Sequence, residues 1–374
     1  MAPKLMNLLP ATLALLAGQA LSQKIIIPPF AYPGESDIQW ISGPDGFDSP
    51  KNNHITDTAY DWWYFDVVEE PYSGNGDQPS FAATFHTTGS NGFDPLRNAF
   101  PMGFPSTTFV QIDLAWPNGT TDSWVLFAGG ASFTVDGDGA SANFSHTGAS
   151  FEGAPDLSSY VVNINAPEKG VVGSLRIDSA TPAHYTCGPN EEGQTIQLTP
   201  GAGWVNAIPD GYAEVDFELR GEKFKFQGRG YHDHNFGNRP FSEALAASYW
   251  GHGRLGDYTI VWVDALAQSG DNHLAAYVSK EGELITASCQ PGSILVRPYG
   301  DNSTYPPTQS TGAPTGFSIE ITIPEGQLEL KAEYIHITVD SDLYRRFTGT
   351  LTGTLDGESL PDGIALWEQF TLQE

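Results

Sequence analysis

The chain has 374 residues, a formal net charge of −28, 17% charged and 12% aromatic side chains, and 41 glycines. The length suits two domains of similar size, and the aromatic and glycine content suits a turn-rich β protein and excludes a disordered chain. So acidic a chain is a poor partner for nucleic acid or an anionic membrane surface, and its charge says nothing about a reaction.

Lys4 precedes an apolar run over 5–16, and the small residues Ala20 and Ser22 follow. The run is too short to span a bilayer, so 1–22 is predicted to be a secretory signal cleaved after Ser22, leaving no membrane anchor. The mature chain is then expected in an endomembrane lumen or outside the cell. Sequons at Asn118, Asn143 and Asn302 lie in or beside turn-like segments and are expected glycosylation sites. Cys187 and Cys289 are the only cysteines, and in an oxidising lumen a disulfide between them is one expectation. Geometry decides it.

The first segment with chemical character is Asp61-Trp-Trp-Tyr-Phe-Asp66. On a strand Trp62 and Tyr64 share one face and Trp63 and Phe65 the other. Such density is either core or the wall of a pocket for a flat, unsaturated ligand. Large apolar residues alternate over 110–116, and 117–119 turns the chain. Another hairpin turn is read at 135–139. A Gly/Pro-rich stretch over 201–209 marks the expected boundary between a domain at 23–205 and one at 206–374.

Strict alternation over 213–220, a turn at Gly221-Glu222 and a return over 223–227 predict a hairpin. Its second strand runs into Gly228-Arg-Gly-Tyr-His-Asp-His-Asn-Phe-Gly237. Without a bulge, Phe224, Phe226, His232 and His234 point one way, and Asp233 and Asn235 the other, where they can brace neighbouring backbone. The glycines warn of a bulge that would break this register. Two alternate histidines invite a metal reading, but it needs a third ligand, and no spacing singles out His86, His184 or His252. Neutral, hydrogen-bonding histidines are expected instead, with no metal.

A short helix is predicted around 241–247. Beyond it, Tyr258, Ile260, Trp262 and Asp264 share a strand face. A carboxylate beside Trp262 on a strand covered on both sides would be desolvated, raising its pKa; the alternative is a solvated or backbone-bonded Asp at the strand's end. Further alternation runs over 317–323 and 350–355, and the Pro/Ser/Thr-rich stretch 298–314 is expected to be an exposed loop. Many short strands argue for antiparallel sandwiches or barrels, whose interior can hold one small ligand.

Three segments together carry a resemblance: Asp61 to Tyr64, Gly230 to Gly237, and Trp250 to Tyr258. They resemble the carotenoid 1,2-hydratase-like superfamily, which implies an all-β chain of two consecutive lipocalin-like domains. In the hydratases an acid protonates an isoprenoid double bond, and Asp264 resembles that acid. Phe236 stands where a Trp is expected, and Trp262 where a Tyr is expected. The overall look is closer to a fungal branch of Diels–Alderases that close polyenes made by polyketide–peptide synthases into decalins or cytochalasan-type rings. That resemblance implies an intramolecular [4+2] cycloaddition of an apolar polyene substrate with no cofactor. His232, His234, Asn235 and Tyr258 are then the expected donors, with Asp264 as a further catalytic candidate. Trp62, Tyr64, Tyr231, Trp250 and Trp262 are the expected substrate-binding residues. The rival expectations are an isoprenoid hydratase using Asp264, a non-catalytic carrier of an apolar metabolite, and a glycosidase needing a spaced carboxylate pair.

Overall fold

The computed structural model describes residues 22–71, 78–96 and 99–374. The expected signal segment therefore lies, but for Ser22, outside the described residues. The described chain is almost entirely antiparallel strand, in two sheets. The first is 15-stranded and the second 10-stranded. The all-β expectation of two consecutive lipocalin-like domains holds, with a corrected boundary. Ala202–Leu219 and Glu222–Gly237 both belong to the first sheet, where Ala202–Leu219 pairs with Val171–Ser179 and Glu222–Gly237 pairs with Tyr60–Glu69. The second sheet begins at Leu245–Leu255, so the chain changes sheet over 238–244 and not at 205/206. The Gly/Pro stretch that suggested the earlier boundary is absorbed by irregular register in Ala202–Leu219. The expected helix shrinks to Phe241–Ala244, because the next residues are taken by the strand Leu245–Leu255.

Each sheet curls around its own core. Phe65 and Phe151 lie five strands apart in sheet order, roughly 24 Å on a flat sheet. Their ring centroids are 5.4 Å apart, so the sheet has folded over to bring them together. Tyr249 and Phe317 in the second sheet, four strands apart, are 4.9 Å apart for the same reason. These interiors are filled. Trp63, Phe65, Phe85, Phe133 and Phe151 pack the first, and Trp262, Ile319, Phe347 and Trp367 the second. The expected ligand space inside a barrel is thus taken by side chains. A third apolar cluster lies where the outer faces of the two sheets meet, and includes Trp62, Tyr64, Tyr231, Trp250 and Phe370.

Strand parity decides which cluster each residue joins. The feared bulge in the histidine segment does not occur: Gly228 to Gly237 pair without a break against Glu69 to Tyr60. The register shifts fall on the partner strand, around Asn206 to Gly211. Gly228 serves close approach instead, since a Cβ there would lie 2.0 Å from the Val68 carbonyl oxygen. Gly228→Ala is expected to cost about 1–3 kcal/mol as an overpacking strain. A fall in the urea midpoint checks this, and an unchanged midpoint would show that the strands can part at no cost.

Polar contacts fasten the seam between the sheets. Asp210 of the first sheet accepts hydrogen bonds from Thr259 at 2.8 Å and Arg254 at 3.3 Å in the second. The imidazole of His252 lies 3.0 Å from Asp66. Cys187 and Cys289 form a disulfide that joins the turn after the strand His184–Tyr185 to the end of Glu283–Ser288.

Candidate functional site at the seam between the sheets

The seam encloses a cavity of about 260 Å³. Tyr60–Glu69 supplies Trp62 and Tyr64, and the neighbouring Ser80–Thr88 supplies Thr84 and His86. Glu222–Gly237 supplies Asp233 and Asn235, and Leu245–Leu255 supplies Ser248 and Trp250. In every case these are alternate residues of one strand face. The far wall carries Tyr344 and Arg346 together with Glu368 and Phe370. Phe93 packs on Trp62 at 4.6 Å, and Phe241 packs on Phe370 at 5.3 Å, which closes one end with rings. Tyr64 and Trp250, one from each sheet, meet edge to face at 5.7 Å.

Two polar groupings interrupt these rings. Asp233 is buried and accepts hydrogen bonds from Trp204 Nε1 and the Tyr231 hydroxyl at 2.8 Å, and from Asn235 Nδ2 at 2.7 Å. Burial pushes its carboxyl up to about 7, outweighing the Trp204 and Tyr231 bonds that favour the charged form. A carboxyl raised this far can carry a proton near neutral pH. The second grouping centres on Arg346. Its Nε donates to Glu368 at 3.0 Å and its Nη1 to Asp113 at 3.3 Å, while Tyr344 also donates to Glu368. The guanidinium lies over the rings of Tyr64 and Tyr344, 5.1 and 5.5 Å from their centroids. Burial raises the Glu368 carboxyl above its ordinary range despite Arg346. The arrangement offers an apolar ring-walled space, a carboxyl that can be neutral, and a fixed guanidinium.

Of the expected site residues, the structure brings Trp62, Tyr64, Trp250 and Asn235 together at this cavity. Tyr231 stands one layer behind, stacked on His252 at 4.3 Å with its hydroxyl on Asp233. Five others are elsewhere. His232 and His234 face the first core, on the opposite side of the strand from Asp233. The His232 ring nitrogens are spanned by the Tyr64 carbonyl oxygen and Asp48, and its ring stacks on Phe65 at 3.9 Å. His234 pairs with Asp61 at 3.0 Å and stacks on Trp63 at 4.3 Å. They tie Asp48 and Asp61 into the first core. Among the described residues no group of three or more His, Cys, Asp or Glu is placed to share a metal ion. Tyr258, Trp262 and Asp264 do share one strand face, but it lines the second core. Asp264 accepts from Arg297 at 2.7 Å and from the Val296 N–H at 3.1 Å, so it braces Ile294–Tyr299. Burial does raise its carboxyl, as expected for a desolvated acid. The acids that line the cavity are Asp233 and Glu368.

Sequence reasoning passed over Asp233, Arg346, Glu368 and Phe370. For Asp233 the signal was present, because parity already placed it opposite the two histidines. The expected donors were placed on the histidine side, which faces the first core and not the cavity. Asn118, Asn143 and Asn302 are all exposed.

A family model described as Diels-Alderase-like matches residues 37–316. The quinolone epoxide rearrangement protein asqO of Emericella nidulans is 33% identical over 93% of this chain and 93% of its own. The Diels-Alderase poxQ of Penicillium oxalicum is 26% identical over 59% of this chain and 50% of its own. Among solved structures, CghA with Sch210972 superposes with a TM-score of 0.76 at 18% identity, covering 94% of this chain and 99% of that one. That likeness is one of fold.

Proposed function

Because this chain belongs to the Diels-Alderase-like family, we propose that its seam cavity holds a small unsaturated substrate and closes a ring in it by intramolecular [4+2] cycloaddition. The observation that carries this reading is the ring-walled cavity with a neutral-capable carboxyl, Asp233, set into it. The reaction converts three π bonds into one and forms two carbon–carbon bonds, with no proton gained or lost and no cofactor required. Trp62, Tyr64 and Trp250 restrict the folded conformations, and orientation of this kind is worth up to about 7–11 kcal/mol. A hydrogen bond from Asp233 or Arg346 to a carbonyl conjugated with the dienophile strengthens in the transition state. The proposed substrate is a polyene polyketide joined to an amino acid, and the proposed products are of decalin or cytochalasan type. We also propose passage through the secretory pathway, supported by the Cys187–Cys289 disulfide and the exposed sequon asparagines.

A second reading, rearrangement of an epoxide such as a quinolone epoxide, is favoured by two observations. The relative of that name aligns along nearly the whole chain. The cavity of about 260 Å³ is also at the small end for ligand sites, which suits a compact ring system better than a long polyene. Here Asp233 gives its proton to the epoxide oxygen as a C–O bond breaks. The ring faces lie against the developing cation, and a proton lost on rearrangement returns to the Asp233 carboxylate. Substrate and product are isomers in both readings.

Asp233→Asn separates them. An amide still donates a hydrogen bond but gives up no proton. Cycloaddition is expected to stay within about tenfold of wild type, whereas epoxide opening is expected to fall roughly 10²–10⁴-fold. In the second case the wild-type rate also falls as pH rises through about 7, because the protonated carboxyl is the reagent. The assay offers the purified protein a linear polyene attached to a tetramic acid and, separately, a quinolone epoxide. Conversion of the epoxide alone would replace the first reading with the second.

A further inference from the structure

Several buried polar atoms at the seam have no protein partner, and three of them belong to cavity-lining side chains on adjacent strands. They are His86 Nδ1, His86 Nε2 and the Tyr64 hydroxyl. His86 is only 2% exposed. It stacks on Phe109 at 4.6 Å and lies beside Trp62 at 6.1 Å. Nothing else in its surroundings shifts it, and burial alone pushes the imidazole down to about 3. At any ordinary pH it is neutral, with one N–H donor and one bare nitrogen acceptor. Tyr64 pairs with Thr84 across the strands and His86 with Trp62. The two side chains are therefore diagonal neighbours on one face, roughly 7–8 Å apart at the backbone. A buried polar group without a partner costs roughly five- to 150-fold in equilibrium terms. A hydrocarbon ligand would leave both groups in that condition, and one with a matching head group would relieve it.

We propose that His86 and Tyr64 form a recognition point for a substrate head group that carries a carbonyl acceptor beside an N–H or O–H donor, the pattern of a cyclic amide or an enolised dicarbonyl. The inference rests on the reading of this cavity as the substrate site. It adds which part of the substrate is held at the wall made by Tyr60–Glu69 and Ser80–Thr88, leaving Asp233 and Arg346 to the remainder. It also explains a polar ring among Trp62, Phe93 and Phe109, where an apolar one would pack as well. A bicyclic lactam and a tetramic acid both carry this pattern, so the head group is common to both reactions considered above.

The test is direct binding to the full chain, followed by calorimetry, with four probes: 2-quinolone, N-methyl-2-quinolone, pyrrolidine-2,4-dione and naphthalene. In the wild type, 2-quinolone or pyrrolidine-2,4-dione is expected to bind at least about tenfold more tightly than naphthalene. N-methylation is expected to remove most of that advantage, and the tighter of the two head groups tells which source of the pattern the site takes. His86→Phe is expected to bring all four probes within about twofold of one another while leaving naphthalene unchanged, and His86→Gln to restore part of the preference. Tyr64→Phe, which deletes one oxygen, is the second variant should His86→Phe fold poorly, and it is expected to weaken only the carbonyl probes. Equal binding of naphthalene and both head groups to the wild type overturns the proposal. So does a preference that survives both His86→Phe and Tyr64→Phe. Turnover is scored separately. His86-dependent selectivity without conversion of either substrate class would retire the reaction and keep the recognition point, and conversion without selectivity would do the reverse.

Discussion

Arg346→Met is expected to destabilise the fold by about 3–5 kcal/mol and to abolish turnover. Arg346 lies on Tyr344–Leu355 in the second sheet, and its carboxylate partner Asp113 lies on Thr108–Ala115 in the first. Asp113 is already held by Gln111 at 2.9 Å and Ser123 at 2.8 Å and cannot swing out to water. Glu368 is equally enclosed. Removing the guanidinium leaves two buried carboxyls without their cation, and that desolvation cost dominates the lost contacts. The loss has a pH signature. Glu368 already has its carboxyl raised by burial, and without Arg346 it rises further. A carboxyl raised in the folded state adds stability below its unfolded value, and that stability is lost as pH rises through the folded value. The deficit of the variant is therefore smallest in acid and grows towards neutral pH. Urea denaturation at about pH 5 and pH 8 reads both terms. A deficit that is flat with pH would mean that water reaches Glu368 in the variant.

The second large effect concerns the disulfide. Its cysteines are 102 residues apart and follow strands of different sheets. Closing a loop of that length restricts the unfolded chain by an amount worth up to about 4.7 kcal/mol. Cys187→Ser with Cys289→Ser is expected to lose about 4 kcal/mol, measured by urea denaturation without reductant. Part of the seam should persist, because His184 stacks on Tyr277 at 4.3 Å and the Tyr277 hydroxyl reaches the Pro182 carbonyl at 3.0 Å. A loss under about 1 kcal/mol would assign the joint to those contacts and leave the disulfide a minor part.

Much of the architecture was legible because alternation is a local property. The hairpin from 213 to 227 forms, with its turn one residue earlier than expected: Arg220 and Gly221, with φ of 51° and 84°, make it, and Glu222 already belongs to the return strand. Parity also sorted the faces of Tyr60–Glu69 and Glu222–Gly237 correctly. It could not say which face met the substrate, because a filled core and a ligand cavity both ask for aromatic residues. His232 and His234, expected as donors from the resemblance, hold Asp48 and Asp61 in the first core. Asp264 is expected to be desolvated on a covered strand and it is, but the cover is Ile294–Tyr299, thirty residues onward, which local pattern does not announce. Arg346 and Glu368 carry no local signal at all. They become a site only when a strand from the end of the chain is inserted between Leu245–Leu255 and Tyr344–Leu355.

The period-two division of the seam strands has a consequence for how such a protein can diverge. On Tyr60–Glu69, Trp62 and Tyr64 meet the cavity while Trp63 and Phe65 fill the first interior. On Glu222–Gly237, Asp233 and Asn235 meet it while His232 and His234 do not. With the seam cavity as the proposed substrate site, adjacent codons carry separate demands, one for filling a core and one for lining the cavity. Single exchanges on the cavity face would then alter what is bound with no loop to lengthen and no strand to re-pair. Catalytic diversity in such a chain is written in alternate letters of its most regular elements.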